Sequence, residues 1–283
     1  MNICFDAPKS CGTDRVLTNL VKYLPPNFTI VDDPLLADLT IVHVVGRHDH
    51  VTQRVQKIKN AGHQYAIIQY VLQSCRNPDP NDWLELWNGA KVVWSYYDLK
   101  NYIPNIYHAP LAADSNIFYK ENNIEKKYLV GTNSDNYKTE CIGEIGLAAY
   151  GAKGKVVHFG THFGSDPNVD DVGIVKDDNA LRAVYNSCKW FSALRRYDGF
   201  EIIALEALLC GVRPIMFDTP NYRQWFNGLA EFIPEVSAGE VTRILRGVFR
   251  KEPRLVTDNE ISEIKLKFNW EKIIKGFWER CLS

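Results

Sequence analysis

The stretch that most narrows what this chain can fold into runs from Trp190 to Phe217. An apolar run (Trp190, Phe191) ends in a basic loop, Arg195-Arg196-Tyr197-Asp198-Gly199. A helix is predicted to open near Phe200–Glu201, to run through IIALEALLC and to stop at Gly211. Glycine is the usual residue just past a helix end because it reaches positive φ at little steric cost. Val212-Arg213-Pro214-Ile215-Met216-Phe217 then reads as a short buried strand. Strand, loop, helix and strand in that order form an α/β crossover unit.

A helix opening there turns its first N–H groups and its positive dipole end toward the loop. With Arg195, Arg196 and Gly199 beside it, that end is a candidate anion pocket. Two carboxylates bracket it, Asp198 in the loop and Glu206 about two turns along. Eight helical residues at 1.5 Å each put them at most roughly 12 Å apart. That is near the span between the sugar and the ribose of a nucleotide sugar folded over its diphosphate. A solvated Asp-Gly turn and a partly exposed helical Glu would give the same two acids.

The same alternation fills the rest of the chain. Asn2–Phe5 is a first strand, Ala7–Arg15 a loop, and Val16–Leu24 a helix with apolar residues at 16, 17, 20, 21 and 24. Phe28–Val31, Leu39–Val45, Ala66–Leu72 and Ala90–Ser95 read as strands, the second and third as continuous buried types, with a helix over Val51–Ala61 and a short one over Trp83–Trp87. Tyr128–Thr132, Lys155–Gly160 and Val172–Val175 are further strands. Asn179–Ser187, Gly239–Val248, Asn259–Leu266 and a C-terminal stretch from Phe268 are helices. Gly12 alone is a weak phosphate-loop signal, because the dinucleotide fingerprint needs three glycines; it also serves as a structural turn. His43 sits inside a strand and is expected to be buried and hydrogen-bonded. Arg47, His48 and His50 follow at that strand's C-terminal end, where open α/β sheets place their sites. His48-x-His50 has no third convergent ligand, and His158 and His162, four apart, have Gly160 between them and do not read as one helix face, so metal binding is not the reading of either. Trp83, Trp87, Tyr96 and Tyr97 are core aromatics by default, with stacking on a sugar or base as the alternative.

With 283 residues, 46% apolar and 24% charged, the chain suits two globular domains. A net charge of −1 argues against a global pull toward nucleic acid or anionic membrane. Seven cysteines without a CxxC pair fit reduced thiols. No run approaches 18 apolar residues and the N-terminus lacks a basic leader, so neither a transmembrane helix nor a signal peptide is expected. The expected location is cytoplasmic, with a peripheral place at the inner membrane surface left open.

The segment from Asp198 to Ile215 resembles the signature of retaining glycosyltransferases of the two-Rossmann, GT-B type (the glycosyl transferases group 1 family). Their motif is a Glu-Gly-Phe-Gly loop, two acids separated by seven residues, and then Glu-Ala-Met-Ala-x-Gly-x-Pro-Val. Here Asp198 replaces the first Glu and Glu201 the second Gly. Ala112-Ala113-Asp114 is similar to the family's interdomain Gly-Val-Asp, and Phe268-Asn269-Trp270 to its C-terminal Phe-Ser-Trp helix. The resemblance implies an α/β fold of two Rossmann-type domains whose parallel sheets face a central cleft, with a C-terminal helix crossing back. The divisions would be 1–108 for the acceptor, 109–265 for the nucleotide sugar and 266–283 for the returning helix.

It also implies residue roles. Asp198 would hold donor-sugar hydroxyls and Glu206 the ribose. Lys138 matches a Lys that clamps the diphosphate, while Thr132 stands where an Arg is expected. The missing Arg removes about one charge-assisted contact, of order 1.5–3 kcal/mol if nothing compensates. Arg195 or Arg196 is the candidate replacement. His48 joins Asp198 and Lys138 as the catalytic candidates. Gly199, Phe200, Glu201, Asn221 and Tyr222 complete the donor-binding set, the last two from a loop after Phe217. Gly12, Thr13, Arg47, Tyr70 and Gln73 form the acceptor set. The family pattern implies a metal-independent enzyme without a bound cofactor, a UDP- or GDP-sugar as co-substrate, and a carbohydrate, lipid-linked glycan or other hydroxyl acceptor. A modified base in nucleic acid is less favoured by the near-zero charge. The departures at Asp198, Glu201 and Thr132 motivate an alternative, an inactive nucleotide-sugar-binding protein on the same fold. No GxGxxG supports a nicotinamide oxidoreductase.

Overall fold

The computed structural model describes the chain except residues 8–10, 46–47, 73–82, 135–139, 162–165 and 197–198, and the side chains of residues 11, 12, 48 and 49. The chain divides into two compact units, Met1–Leu111 with Asn269–Ser283, and Ala112–Phe268. Each is built on a six-stranded, all-parallel sheet.

The first unit contains β1 (Asn2–Asp6), α1 (Cys11–Lys22), β2 (Thr29–Ile30), β3 (Leu39–Val44), α2 (His48–Asn60), β4 (Gln64–Gln69), α3 (Leu84–Trp87), β5 (Val93–Ser95) and β6 (Ile106–His108). Its strand order is β2-β1-β3-β4-β5-β6. All six residues of β3 are buried, as a central parallel strand covered on both faces requires. α1 starts at Cys11, five residues before the apolar repeat begins. Cys11, Gly12, Thr13 and Asp14 do not advance that repeat, but Asp14 suits the positive end of a helix. Trp83 and Trp87 are core residues: their indole N–H groups donate to the Leu72 carbonyl (2.7 Å) and to Gln69 Oε1 (3.0 Å).

The C-terminal helix α10 (Trp270–Leu282) completes this unit. Asn269 caps it by accepting from the Lys272 N–H. Its Trp278 packs edge-on against Phe5 and Phe28, its Phe277 meets Trp94 and Tyr107, and the Tyr107 hydroxyl donates to the Ile273 carbonyl at 2.8 Å.

The second unit contains β7 (Tyr128–Ser134), α4 (Ile142–Gly151), β8 (Val156–Gly160), β9 (Val169–Asp171), α5 (Asp178–Asn186), β10 (Cys188–Ser192), α6 (Ile202–Leu209), β11 (Arg213–Phe217), α7 (Pro220–Phe226), β12 (Glu231–Ile233), α8 (Ala238–Phe249) and α9 (Asp258–Lys267). The order β12-β11-β10-β7-β8-β9 is that of a Rossmann sheet. One face of the sheet, through Val130, Val156, Trp190, Ile215 and Phe217, forms a core with α4 and α8. Gly211 ends α6 with φ +75°, the left-handed position that its sequence place predicts.

Three local expectations change. The strand expected over Val172–Val175 forms at Val169–Asp171 instead. There Asp170 accepts from the Tyr128 hydroxyl at 2.8 Å, and Gly173 (φ +66°) turns the chain away directly afterwards. Residues 142–151, which contain three glycines, are a helix that the periodicity does not announce. Asn221 and Tyr222 lie in a helix, not a loop: Thr219 accepts from the Tyr222 N–H and Pro220 takes the first position, a strong helix start.

Candidate functional site

A parallel sheet opens a crevice where consecutive strands leave in opposite directions, beyond their carboxyl ends. In the second unit that switch falls between β7 and β10. The segment from β7 to α4 carries Lys138, and the segment from β10 to α6 carries Asp198. Both residues lie outside the described ones, and their flanking strands are the two at the switch.

Glu206 is the centre of what is described here. It sits in α6 at 1% exposure, and the Tyr185 hydroxyl of α5 donates to its Oε2 at 2.7 Å. Burying a carboxylate that deeply is costly unless donors are supplied, and this contact is one of them. The Tyr185 ring is itself fixed edge-on against Phe191, Phe159 and Phe118. Tyr185, the partner of a candidate site residue, is one that the sequence did not single out; only its place on the apolar stripe of α5 sets it apart.

The residues around the opening of α6 form one polar network. Glu201 is the residue before α6, yet its side chain does not cap the helix. It accepts from Arg195 Nε at 3.1 Å and from the Tyr222 hydroxyl at 3.3 Å. Arg195 also pairs with Glu140, which is 2% exposed. Arg196 reaches Glu144 (3.2 Å), the Val236 carbonyl (3.2 Å) and Glu235 (3.7 Å). Asn221 donates from its amide to the Gly199 carbonyl at 2.8 Å. Thr132, on β7 in register with His158, is buried, and Phe200 packs on Trp225, Phe226 and Phe268. The structure therefore brings Arg195, Arg196, Gly199, Glu201, Asn221 and Tyr222 together around one helix start, and buries Thr132, Phe200, Glu206 and Tyr222.

In the first unit the switch falls between β1 and β3. Gly12 and Thr13 lie in the first turn of α1, after β1, and His48 is the first residue of α2, after β3. Arg47 and Gln73 are outside the described residues. Tyr70 is in the interior, its hydroxyl 3.0 Å from His43 Nδ1 and the two rings stacked. Burial raises the Tyr70 hydroxyl well above its ordinary range. His43 is buried as its strand position predicts. Burial, with a smaller push from Arg54, lowers its pKa to about 3, so the ring is neutral. Asp6, at the end of β1, pairs with Arg54 at 3.0 Å, and burial raises its carboxyl.

His158 Nε2 lies 3.2 Å from Ser134 Oγ and 2.9 Å from the Thr161 carbonyl, and His162 is outside the described residues. Among the described residues, no three His, Cys, Asp or Glu side chains are grouped to hold a metal ion, and no helix is long and apolar enough to cross a membrane.

No protein-family model matches the sequence, and no curated protein matches it. Solved structures match the fold over the whole chain. HepE from Anabaena, in complex with UDP, aligns with a TM-score of 0.75 at 10% identity, covering 100% of this chain and 99% of HepE. AviGT4, a glycosyltransferase involved in avilamycin A biosynthesis, aligns with a TM-score of 0.64 at 11% identity, covering 99% and 96%. Sucrose-phosphate synthase from Thermosynechococcus elongatus aligns with a TM-score of 0.66 at 15% identity, covering 87% and 74%. The fold is of the GT-B glycosyltransferase type, with two Rossmann-like units.

Proposed function

We propose that the protein is a glycosyltransferase that moves a sugar from a nucleoside-diphosphate sugar to a hydroxyl acceptor with retention of configuration. The observation that carries this reading is the full-length correspondence in fold to a UDP complex, together with a buried carboxylate, Glu206, in the helix that follows the switch strand β10. Glu206 grips the ribose and Asp198 orients the sugar. Lys138 and the first amides of α6 stabilise the diphosphate as it leaves, where negative charge builds up. UDP or GDP is the nucleotide. The first unit takes the acceptor, a glycan or lipid-linked glycan, with Gly12, Thr13, Arg47, Tyr70 and Gln73 as its binding set and His48 as a catalytic residue. The reaction needs no metal, and the protein works in the cytoplasm.

A second reading, an inactive nucleotide-sugar-binding protein, is favoured by one observation. Glu201, where the motif has glycine, occupies Arg195. Turnover separates the two, because only an enzyme hydrolyses or transfers the donor.

The first test is thermal melting with UDP, GDP, ADP, CDP and NAD. A ligand at about 100 times its dissociation constant stabilises by roughly 2.7 kcal/mol. One nucleoside diphosphate is expected to shift the melt, and Glu206→Gln, which keeps the side-chain volume, to weaken that binding about tenfold to a hundredfold, the worth of a charge-assisted hydrogen bond. A shift with NAD alone, or with none of the five, rules the reading out.

A further inference from the structure

Arg195 and Arg196 stand beside the proposed leaving diphosphate, and their charge invites the view that they bind it. Their partners argue otherwise. Arg195 is held by two carboxylates, Glu140 and Glu201. Arg196 is also held by two, Glu144 and Glu235. Each guanidinium is thus already engaged by carboxylates, and a diphosphate approaching it has to compete with them. Like charge at short range disfavours anion binding.

The partners also have a consistent location. Glu140 directly follows the segment that carries Lys138, and Glu144 lies in the first turn of α4. Arg195 and Arg196 directly precede Tyr197 and Asp198. Two side-by-side ion pairs therefore join the chain leaving β10 to the chain leaving β7, across the switch point. On its far side the same segment is tied to α7, through Tyr222 to Glu201 and Asn221 to the Gly199 carbonyl.

We propose that Arg195 and Arg196 are positioning residues, a double clamp that sets the spacing between the start of α4 and the chain that leads into α6. The catalytic consequence rests on the glycosyltransferase reading; the clamp itself does not. Catalysis by orientation is sensitive to displacements of about 1 Å. Loosening this clamp thus lowers turnover more than it lowers nucleotide affinity.

The test uses the full chain with Arg195→Met, Arg195→Lys, Glu140→Gln and the Arg195→Met/Glu140→Gln pair. Glu140→Gln keeps the side-chain shape, so it serves if Arg195→Met fails to fold. Amide hydrogen exchange is followed in the first turns of α4 and α6, and binding of UDP, GDP and uridine is measured by calorimetry. Expected for Arg195→Met and for Glu140→Gln alike is exchange faster by about tenfold or more in both first turns, with the double variant little worse than either single one. The diphosphate dissociation constant changes less than about threefold, kcat for donor hydrolysis or transfer falls at least tenfold, and Arg195→Lys recovers part of it. Exchange that rises only next to the mutated residue overturns the clamp. So does a tenfold loss of diphosphate affinity with uridine binding unchanged, which would make Arg195 a phosphate ligand. If the wild-type chain binds neither nucleotide, the functional reading falls, and the exchange data alone still decide for or against the clamp.

Discussion

Removing one oxygen atom, in Tyr185→Phe, tests how the candidate ribose-binding acid is held. The phenol donates to Glu206 at 2.7 Å, in a site where Glu206 is 1% exposed. The ring is boxed by Phe118, Phe159 and Phe191, so phenylalanine keeps the aromatic packing and the change isolates the hydroxyl. A hydrogen bond to a charged group contributes about 1.5–3 kcal/mol. In a unit of roughly 150 residues each kcal/mol moves the melting temperature by about 2–4 °C, so the variant is expected to melt about 3–12 °C lower.

Tyr222→Phe is the internal control. Its hydroxyl lies 3.3 Å from Glu201, a longer contact to a carboxylate that also has Arg195. Its loss is expected to cost about 1 kcal/mol or less. Scanning calorimetry gives both numbers, and UDP titration of Tyr185→Phe reads whether a less constrained Glu206 binds more weakly. If Tyr185→Phe melts within a degree of wild type, the phenol does not hold Glu206 in solution and the account of this site is wrong.

Three further outcomes follow from buried groups. His43 is neutral at pH 7 in both states; below its ordinary 6.5 the unfolded chain takes up a proton that the folded ring, at about 3, refuses. Stability therefore falls as pH drops, by about 2 kcal/mol from pH 6.5 to 5, and His43→Gln should flatten denaturation curves measured across that window. Arg213 is 3% exposed and donates to the carbonyls of Gly228, Leu229, Arg254 and Leu255 and to Glu260. Arg213→Met should cost about 3 kcal/mol, the low end for a broken buried pair because Arg254 still holds Glu260, and an unchanged melt would contradict this. At Gly131 an added Cβ would stand 2.8 Å from Cys188 Sγ and 2.9 Å from the Phe191 ring. Both neighbours are buried, so Gly131→Ala is expected to lose about 1–3 kcal/mol by urea denaturation.

What could be read from the sequence was whatever local chemistry sets. The α6 helix and its Gly211 stop, and α10 with its apolar stripe, all follow from caps and periodicity within a dozen residues. The α7 helix shows how one set of residues supports two readings. Thr219-Pro220-Asn221 signals a turn, yet Thr-Pro is also a cap followed by the favoured first helical residue, and Phe226 and Tyr222 on the buried side decide for the helix. Strand order lies beyond local chemistry. Nothing near β7 states that its neighbour is β10, 60 residues on, although that adjacency puts the Lys138 and Asp198 segments at one switch point.

The polar network was hidden for the same reason. Read alone, Arg195-Arg196 before a helix is an anion site, because positive side chains and a positive helix end add. The structure brings Glu140 and Glu144 from the start of α4 to meet them. Carboxylates more than 50 residues away in sequence engage both guanidinium groups, and only the fold shows they are there. On the proposed reading, the diphosphate is met by Lys138 and the α6 amides, and the paired arginines serve instead to join the start of α4 to the chain before α6.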